Sequence, residues 1–422
     1  PGPVDYVIVA VPRKVAPFVL QDCIKKQVGG VMFFTSGFAE TNTDEGRALQ
    51  KTMIDLAKQG NVNLIGPNCV GIYNPAIGLR HSAEQPAGEG GPVGFIAQSG
   101  THATFFSTVG YQHGIRISKS VSYGNAIILD SSDYLEYMAQ DKQTKIIGMY
   151  IEGVKDGRRF MSTLREAAKR KPVLIWKGGQ TAEGARATAS HTGSMRESIT
   201  TWQALIRQCG AIRVDNLDDM VDTVKTLLYV KPTTSTKVGL IAMTGGQSVV
   251  ISDSFARAGL EIPILTQRSF ERFGEFFVAV GGSYRNPLDV SPTFLGFDDS
   301  AMLEHLSRML DILDDDANVD SIVVEVSTPL LAPRIRRNAA LVQQMVGLLS
   351  DFRSKAKKPF LVVVTPGNQE AQALEIRSAL VERNVPSFPT FPRAAQALKK
   401  VVEHYIIHST QPTVAAVAGG RG

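Results

Sequence analysis

Two stretches of this sequence pair reactive side chains with room around them. Residues 187–195 read "ATASHTGSM", which leaves His191 among small and hydroxyl side chains, in a chain with 7 histidines. Residues 149–159 read "MYIEGVKDGRR", which puts Glu152 at the end of an apolar run. An imidazole in such surroundings can be a solvated surface group, a metal ligand, a general base, or a nucleophile that itself carries a group. A metal site needs partners at ligand spacing, and none lies near His191. A Ser-His-Asp hydrolase would show a GxSxG elbow, and the sequence has none. Phosphorylation on a ring nitrogen and simple solvent exposure both remain open. Glu152 can accept an imidazole N–H, which fixes the tautomer and makes the other nitrogen nucleophilic. It can also cap the following helix or pair with Arg158 or Arg159.

Two further segments have the look of anion sites. "GFIAQSGTHATF" and "GLIAMTGGQSVV" each run from an apolar strand through a Gly/Ser turn into a helix. Such a turn points main-chain N–H groups and the positive end of the helix dipole outward. Ser99, Gly100 and Thr101 form one candidate, and Gly245, Gly246, Gln247 and Ser248 the other. Any βα turn favours Gly and Ser for geometric reasons, so one such turn says little. Its recurrence in two consecutive units is more specific. In "IGPNCVGIYNP", Cys69 is either a nucleophile or a buried thiol, and nothing local would lower its pKa. "VPRKVAP" and "TSGFAET" close two strands at the same ligand edge.

These residues must be positioned by alternating strands and helices. Apolar runs of strand length occur at 5–11, 29–36, 62–67, 92–99, 116–124, 146–153, 172–179, 237–246, 321–327 and 359–365. Most lack polar alternation, as parallel strands covered on both faces do. Amphipathic stretches such as "EGRALQKTMIDLAKQ" and "GRRFMSTLREAAKR" lie between them, so the expected fold is α/β with open parallel sheets. Gly/Pro-rich 83–92 and polar 229–237 read as boundaries. They divide the chain into units 1–85, 86–232 and 233–411, with 412–422 as a flexible tail or linker. The opening "PGPVDYVIVAVP" enters a strand directly, so a preceding βα unit is expected to be missing.

Composition excludes several classes. The 422 residues are 43% hydrophobic and 20% charged, with a net charge of +5, as in an ordinary globular protein. Lys and Arg are dispersed, which argues against nucleic-acid binding. The 3 cysteines are widely separated, which fits a reducing compartment better than a disulfide framework. No apolar run reaches membrane-spanning length and no signal peptide is visible. The expected setting is cytoplasmic, with no membrane and no protein-bound metal.

Taken together the motifs resemble the nucleoside-diphosphate-forming acyl-CoA synthetases, related to succinyl-CoA synthetase. "VIVAVP", "SGFAET" and "GPNCVGI" look like a truncated Rossmann-like CoA-binding domain. "GFIAQSGT", "YIEGVKDGR" and "KGGQTAEGARATASHTGS" look like a first flavodoxin-like ligase domain. "TGGQSVVISDSFARAGLEIP" and "NPLDV" look like a second. The resemblance implies that His191 carries phosphate, with Glu152 orienting it and the two turns at Ser99–Thr101 and Gly245–Ser248 holding the anion. It implies that Pro12, Ser36, Phe38 and Asn68 line the CoA and acyl site, and that Asn286 and Asp289 are partly structural. The implied reaction joins a carboxylic acid to coenzyme A through an acyl phosphate. ATP/ADP and Mg²⁺ would belong to an ATP-grasp domain or subunit absent from this chain. The implied assembly is a homo- or hetero-oligomer. Three departures stand out: no ATP-grasp segment, no opening Gly-rich loop, and Met195, Arg196 and Glu197 where small apolar residues are usual. The alternative is a non-catalytic acyl-CoA-binding or regulatory module related to protein acetyltransferases, in which the histidine is expected to be replaced. A dehydrogenase reading lacks the ribose-binding fingerprint.

Overall fold

The computed structural model describes the backbone of residues 2–192 and 198–409 and, apart from residues 189–192 and 295, their side chains. All ten apolar runs form strands, because a Val/Ile/Leu-rich segment flanked by helices is buried on both faces of a sheet. The first sheet holds β1 (Tyr6–Val9), β2 (Gly30–Phe33) and β3 (Leu64–Ile65), in the order β1-β2-β3. The second holds β4 (Gly71–Tyr73), β5 (Val93–Ala97), β6 (Ile117–Ser122), β7 (Ile146–Ile151), β8 (Val173–Lys177) and β9 (Ile212–Val214), in the order β4-β6-β5-β7-β8-β9. The third holds β10 (Val238–Ala242), β11 (Leu288–Asp289), β12 (Ser321–Ser327), β13 (Phe360–Thr365) and β14 (Ser387–Phe388), in the order β11-β10-β12-β13-β14.

Pairing is parallel except at one edge, where β4 runs antiparallel to β6. Four strands have no counterpart in the sequence reading: β4, β9, β11 and β14 are two or three residues long. That is too short to register as an apolar run. The chain divides into two compact units. One runs to Val221, without 112–114, and carries the first two sheets; the other takes 112–114 and everything from Asp222 onward, and carries the third.

Buried side chains of the second sheet, among them Ile147, Met149, Val173 and Ile175, pack against Phe160 and Leu164 of the helix Gly157–Arg170. In the third sheet, Ile322, Val324 and Val362 meet Leu306, Leu310 and Leu349 from the covering helices. The "NPLDV" segment acts as a splice. The Asn286 side chain accepts from Leu240 N and donates to the carbonyls of Val238 and Pro263, each at 2.9 Å. Among the described residues no helix is long and apolar enough to cross a membrane.

Candidate functional site

The first Gly/Ser turn lies at the carboxyl end of β5, where the helix Gly100–Gln112 begins. Ser99 Oγ accepts from His102 N at 3.4 Å, capping the first turn, and Thr101 faces solvent. This is the geometry in which a helix start can receive an anion.

Glu152 follows β7, the strand beside β5 in the sheet, and is 5% exposed. Its surroundings hold it firmly. Gln98 Oε1 accepts from the main-chain N–H of Glu152 at 2.9 Å and of Gly153 at 3.2 Å. The Lys177 ammonium donates to the carbonyls of Glu152 and Gly178, both at 2.7 Å. The Tyr150 phenol donates to Glu152 Oε1 at 3.2 Å. The helix-cap reading is not needed, because Asp156 caps the helix Gly157–Arg170 by accepting from Arg158 N and Arg159 N. Arg159 pairs with Asp133.

His191 belongs to the helix Ala182–Thr192, so the stretch expected to be a loop is helical as far as Thr192. Ala, Arg and Glu are good helix formers, and "AEGARATA" supplies enough of them to extend the helix. The His191 side chain, like Met195, Arg196 and Glu197, lies outside the described residues. The backbone of this helix runs beside the turn Ala39–Thr41. Two glycines connect it to Glu152. A Cβ on Gly178 would lie 2.7 Å from the Tyr150 phenol oxygen and 3.3 Å from Glu152 Cγ, and a Cβ on Gly179 would lie 2.8 Å from Thr188 Oγ1. Larger residues at either position would push the helix and the carboxylate apart.

The loops at the edge of the first sheet share a polar network. Glu40 Oε1 accepts from Gly37 N at 2.6 Å and Phe38 N at 3.1 Å, while its Oε2 accepts from the Asn125 amide at 2.6 Å. Asn68, at φ +58°, donates its N–H to Thr35 O at 3.0 Å. Pro12 and Ser36 are exposed there and Asn68 is half-buried. Phe38 is different: its side chain is 0% exposed, in the core with Leu20 and Met53. The family resemblance puts Phe38 in a loop at the CoA and acyl site; here its ring is turned into the core, as burial of apolar surface favours. Cys69 is buried too, and burial pushes its thiol up to about 12. It is not set up as a nucleophile.

The second turn begins the helix Gly245–Arg257, with Thr244 Oγ1 accepting from Gln247 N at 3.2 Å. Gly245 and Gly246 are exposed, and Gln247 and Ser248 half-buried. Beneath them lies Glu325, a fully buried carboxylate that sequence reading passed over within the apolar "SIVVEVS". It accepts from Met243 N and from Thr365 Oγ1, both at 2.8 Å. Burial raises its pKa against the opposing pull of these donors and of the Gln247 side chain. Asp289 Oδ2 comes within 3.1 Å of where a Gly245 Cβ would be. Each turn thus has a buried carboxylate on the adjacent strand, Glu152 at the first and Glu325 at the second. Among the described residues no group of three or more His, Cys, Asp or Glu is placed to hold a metal.

Comparison with known proteins gives this geometry a family. Residues 1–75 match the model of a CoA binding domain, and residues 90–227 that of a succinyl-CoA ligase like flavodoxin domain. Acetate–CoA ligase [ADP-forming] I of Archaeoglobus fulgidus is 35% identical over 78% of this chain and 46% of its own length. The alpha subunit of acetate–CoA ligase [ADP-forming] II of Pyrococcus furiosus is 31% identical over 93% of this chain and 81% of its own length. The chain thus spans about half of the first relative and about four fifths of the second. The structure of a dinucleotide-forming acetyl-coenzyme A synthetase 1 from Ca. Korarchaeum cryptofilum, in complex with phosphate and ADP, has the same fold. Its TM-score is 0.80 at 24% identity, covering 98% of this chain and 86% of that one. With relatives aligned along nearly its whole length and the segments that carry the first two sheets matched by family models, the chain belongs to the ADP-forming acetate–CoA ligase family.

Proposed function

We propose that this chain is the CoA- and phosphohistidine-bearing part of an NDP-forming acyl-CoA synthetase, and that it works with an ATP-grasp domain or subunit. The observation that carries this reading is the buried Glu152 beside the open helix start at Ser99–Thr101, with Gly178 and Gly179 bringing the His191 helix against it. Residues 1–85 are assigned to CoA binding, 86–232 to the phosphohistidine ligase domain, 233–411 to a second ligase domain and 412–422 to a linker. The setting is cytoplasmic.

The chemistry follows from the charges involved. A carboxylate does not condense with a thiol in water, because hydroxide-like oxygen is a poor leaving group. Transfer of the ATP γ-phosphoryl group to His191 releases ADP. The carboxylate oxygen then takes the phosphoryl group from the histidine nitrogen, giving an acyl phosphate. CoA thiolate attacks the acyl carbon, phosphate leaves, and the thioester remains; every step is reversible. Glu152 accepts the N–H of the imidazole, so the opposite nitrogen is the nucleophile. Ser99, Gly100 and Thr101 offer N–H and hydroxyl donors to the phosphoryl oxygens as charge shifts onto them. Gly245–Ser248 form the second station, with Thr244 capping its helix start. Pro12, Ser36 and Asn68 border the CoA and acyl site. Mg²⁺ is assigned to the ATP-grasp partner with the nucleotide.

The test is a complementation assay. The chain is combined with an ATP-grasp subunit, Mg²⁺-ATP, CoA and a panel of short carboxylic acids. The expected products are acyl-CoA, ADP and phosphate, with none formed by His191→Asn. Release of AMP and pyrophosphate, or turnover that survives His191→Asn, contradicts the reading.

A further inference from the structure

Glu152 has a hydrogen-bond donor two residues upstream, the Tyr150 phenol at 3.2 Å. Residues i and i+2 of an extended segment point to one face, so the backbone itself brings the two side chains together. Both are buried, at 8% and 5% exposure. The Tyr150 ring is fixed by two neighbours on other elements. His102, on the helix Gly100–Gln112, lies 4.2 Å away between ring centroids, and Trp176 of β8 lies edge-on at 4.8 Å. His102 and Trp176 are themselves 4.4 Å apart, which closes a cluster of three rings. Gly178 leaves just enough space over the phenol oxygen. The hydroxyl therefore cannot swing off the carboxylate without opening the cluster. Burial, and then the Glu152 charge, push the phenol's pKa above its ordinary value, so it stays protonated and remains a donor.

Building on the phosphohistidine reading, we infer that Tyr150 is a positioning residue: it presents the Glu152 carboxylate to His191 in one orientation and does not touch the phosphoryl group. A carboxylate held by a buried donor samples fewer rotamers, and the imidazole it receives is held in one tautomer. Loss of the hydroxyl frees the carboxylate to rotate and lowers the share of His191 poised for attack.

The test needs no nucleotide partner. The full chain is treated with phosphoramidate: its P–N bond breaks with loss of ammonia as a new P–N bond forms on the histidine. Phospho-His191 is followed by phosphorus NMR. Tyr150→Phe keeps the ring cluster and deletes only the hydroxyl. It is expected to slow phosphorylation roughly 10-fold, as for a lost hydrogen bond to a charged group, and to shift the phosphohistidine resonance while the protein stays folded. Added to Glu152→Ala, which leaves no acceptor, it is expected to slow the reaction no further, because the phenol then has no carboxylate to hold. Equal rates and resonances for wild type and Tyr150→Phe overturn the inference, as does a full extra loss in the double variant. If wild type and His191→Asn take up phosphate alike, the phosphohistidine reading fails and the role of Tyr150 falls with it. A normal phospho-His191 unaffected by Tyr150→Phe fails the present inference alone.

Discussion

Gln98, just past β5, holds the main chain of Glu152, just past β7: its side-chain oxygen accepts from Glu152 N at 2.9 Å and from Gly153 N at 3.2 Å. One amide thereby sets the turn that follows Glu152, and so where the carboxylate stands relative to the Ser99–Thr101 helix start. Gln98→Leu fills similar space but leaves two N–H groups without an acceptor. Each such loss costs about 1–3 kcal/mol when the group is buried. Denaturant unfolding is expected to show a lower midpoint for Gln98→Leu, and phosphorylation of His191 is expected to fall with it. A variant as stable and as readily phosphorylated as wild type contradicts this role.

Two buried or partly buried carboxylates give opposite pH signatures. Burial alone would raise Asp141, but the Lys119 ammonium at 2.7 Å and the Thr144 hydroxyl outweigh it and bring it down to about 2. Its stabilising contribution is complete above the ordinary aspartate value near 3.8 and is lost as pH falls toward 2. Glu325 behaves in the other sense. Its folded pKa is raised, so its favourable contribution is complete below the ordinary value of 4.5 and is lost as pH rises through the folded value. In thermal melts across pH, Asp141→Asn is expected to flatten the acid side, whereas Glu325→Gln is expected to gain on wild type as pH rises. Parallel profiles for wild type and both variants contradict these assignments.

Cys69 is expected to be chemically silent. With its thiol buried and raised to about 12, native protein at neutral pH should resist alkylation at Cys69 and become reactive only on unfolding. Mass spectrometry of the alkylated chain reads this directly. Rapid native labelling at Cys69 contradicts it.

Phe38 and Ser36 should separate stability from ligand contact. Phe38→Ala removes a fully buried ring and is expected to cost about 3–5 kcal/mol in unfolding free energy. Ser36→Ala is expected to change stability by less than about 0.5 kcal/mol and to weaken CoA binding measured by calorimetry. A stable Phe38→Ala contradicts the placement of the ring in the core.

The sheets were legible because their long strands are unbroken Val/Ile/Leu runs, and this pattern survives without any knowledge of contacts. The short strands were not. Leu288–Asp289 and Ser387–Phe388 become strands only because longer neighbours offer them a ladder. The Ser99–Thr101 and Gly245–Ser248 turns were readable from the strand–Gly–helix pattern. What lies beneath them was not: Gln98, Tyr150 and Lys177 converge on Glu152 from three strand ends, and Glu325 is a single carboxylate inside a Val-rich strand. The loop expected around His191 proved helical through Thr192, because helix-forming residues upstream outweighed the small ones beside the histidine.

The central claim is that His191 carries the phosphoryl group. The most direct measurement mixes the chain with an ATP-grasp partner, Mg²⁺ and γ-labelled ATP, and then tests the label for acid lability and base stability. The account predicts label on His191 that is lost on addition of ADP and absent from His191→Asn. Label that persists in His191→Asn, or that stays on wild type when ADP is added, would contradict it.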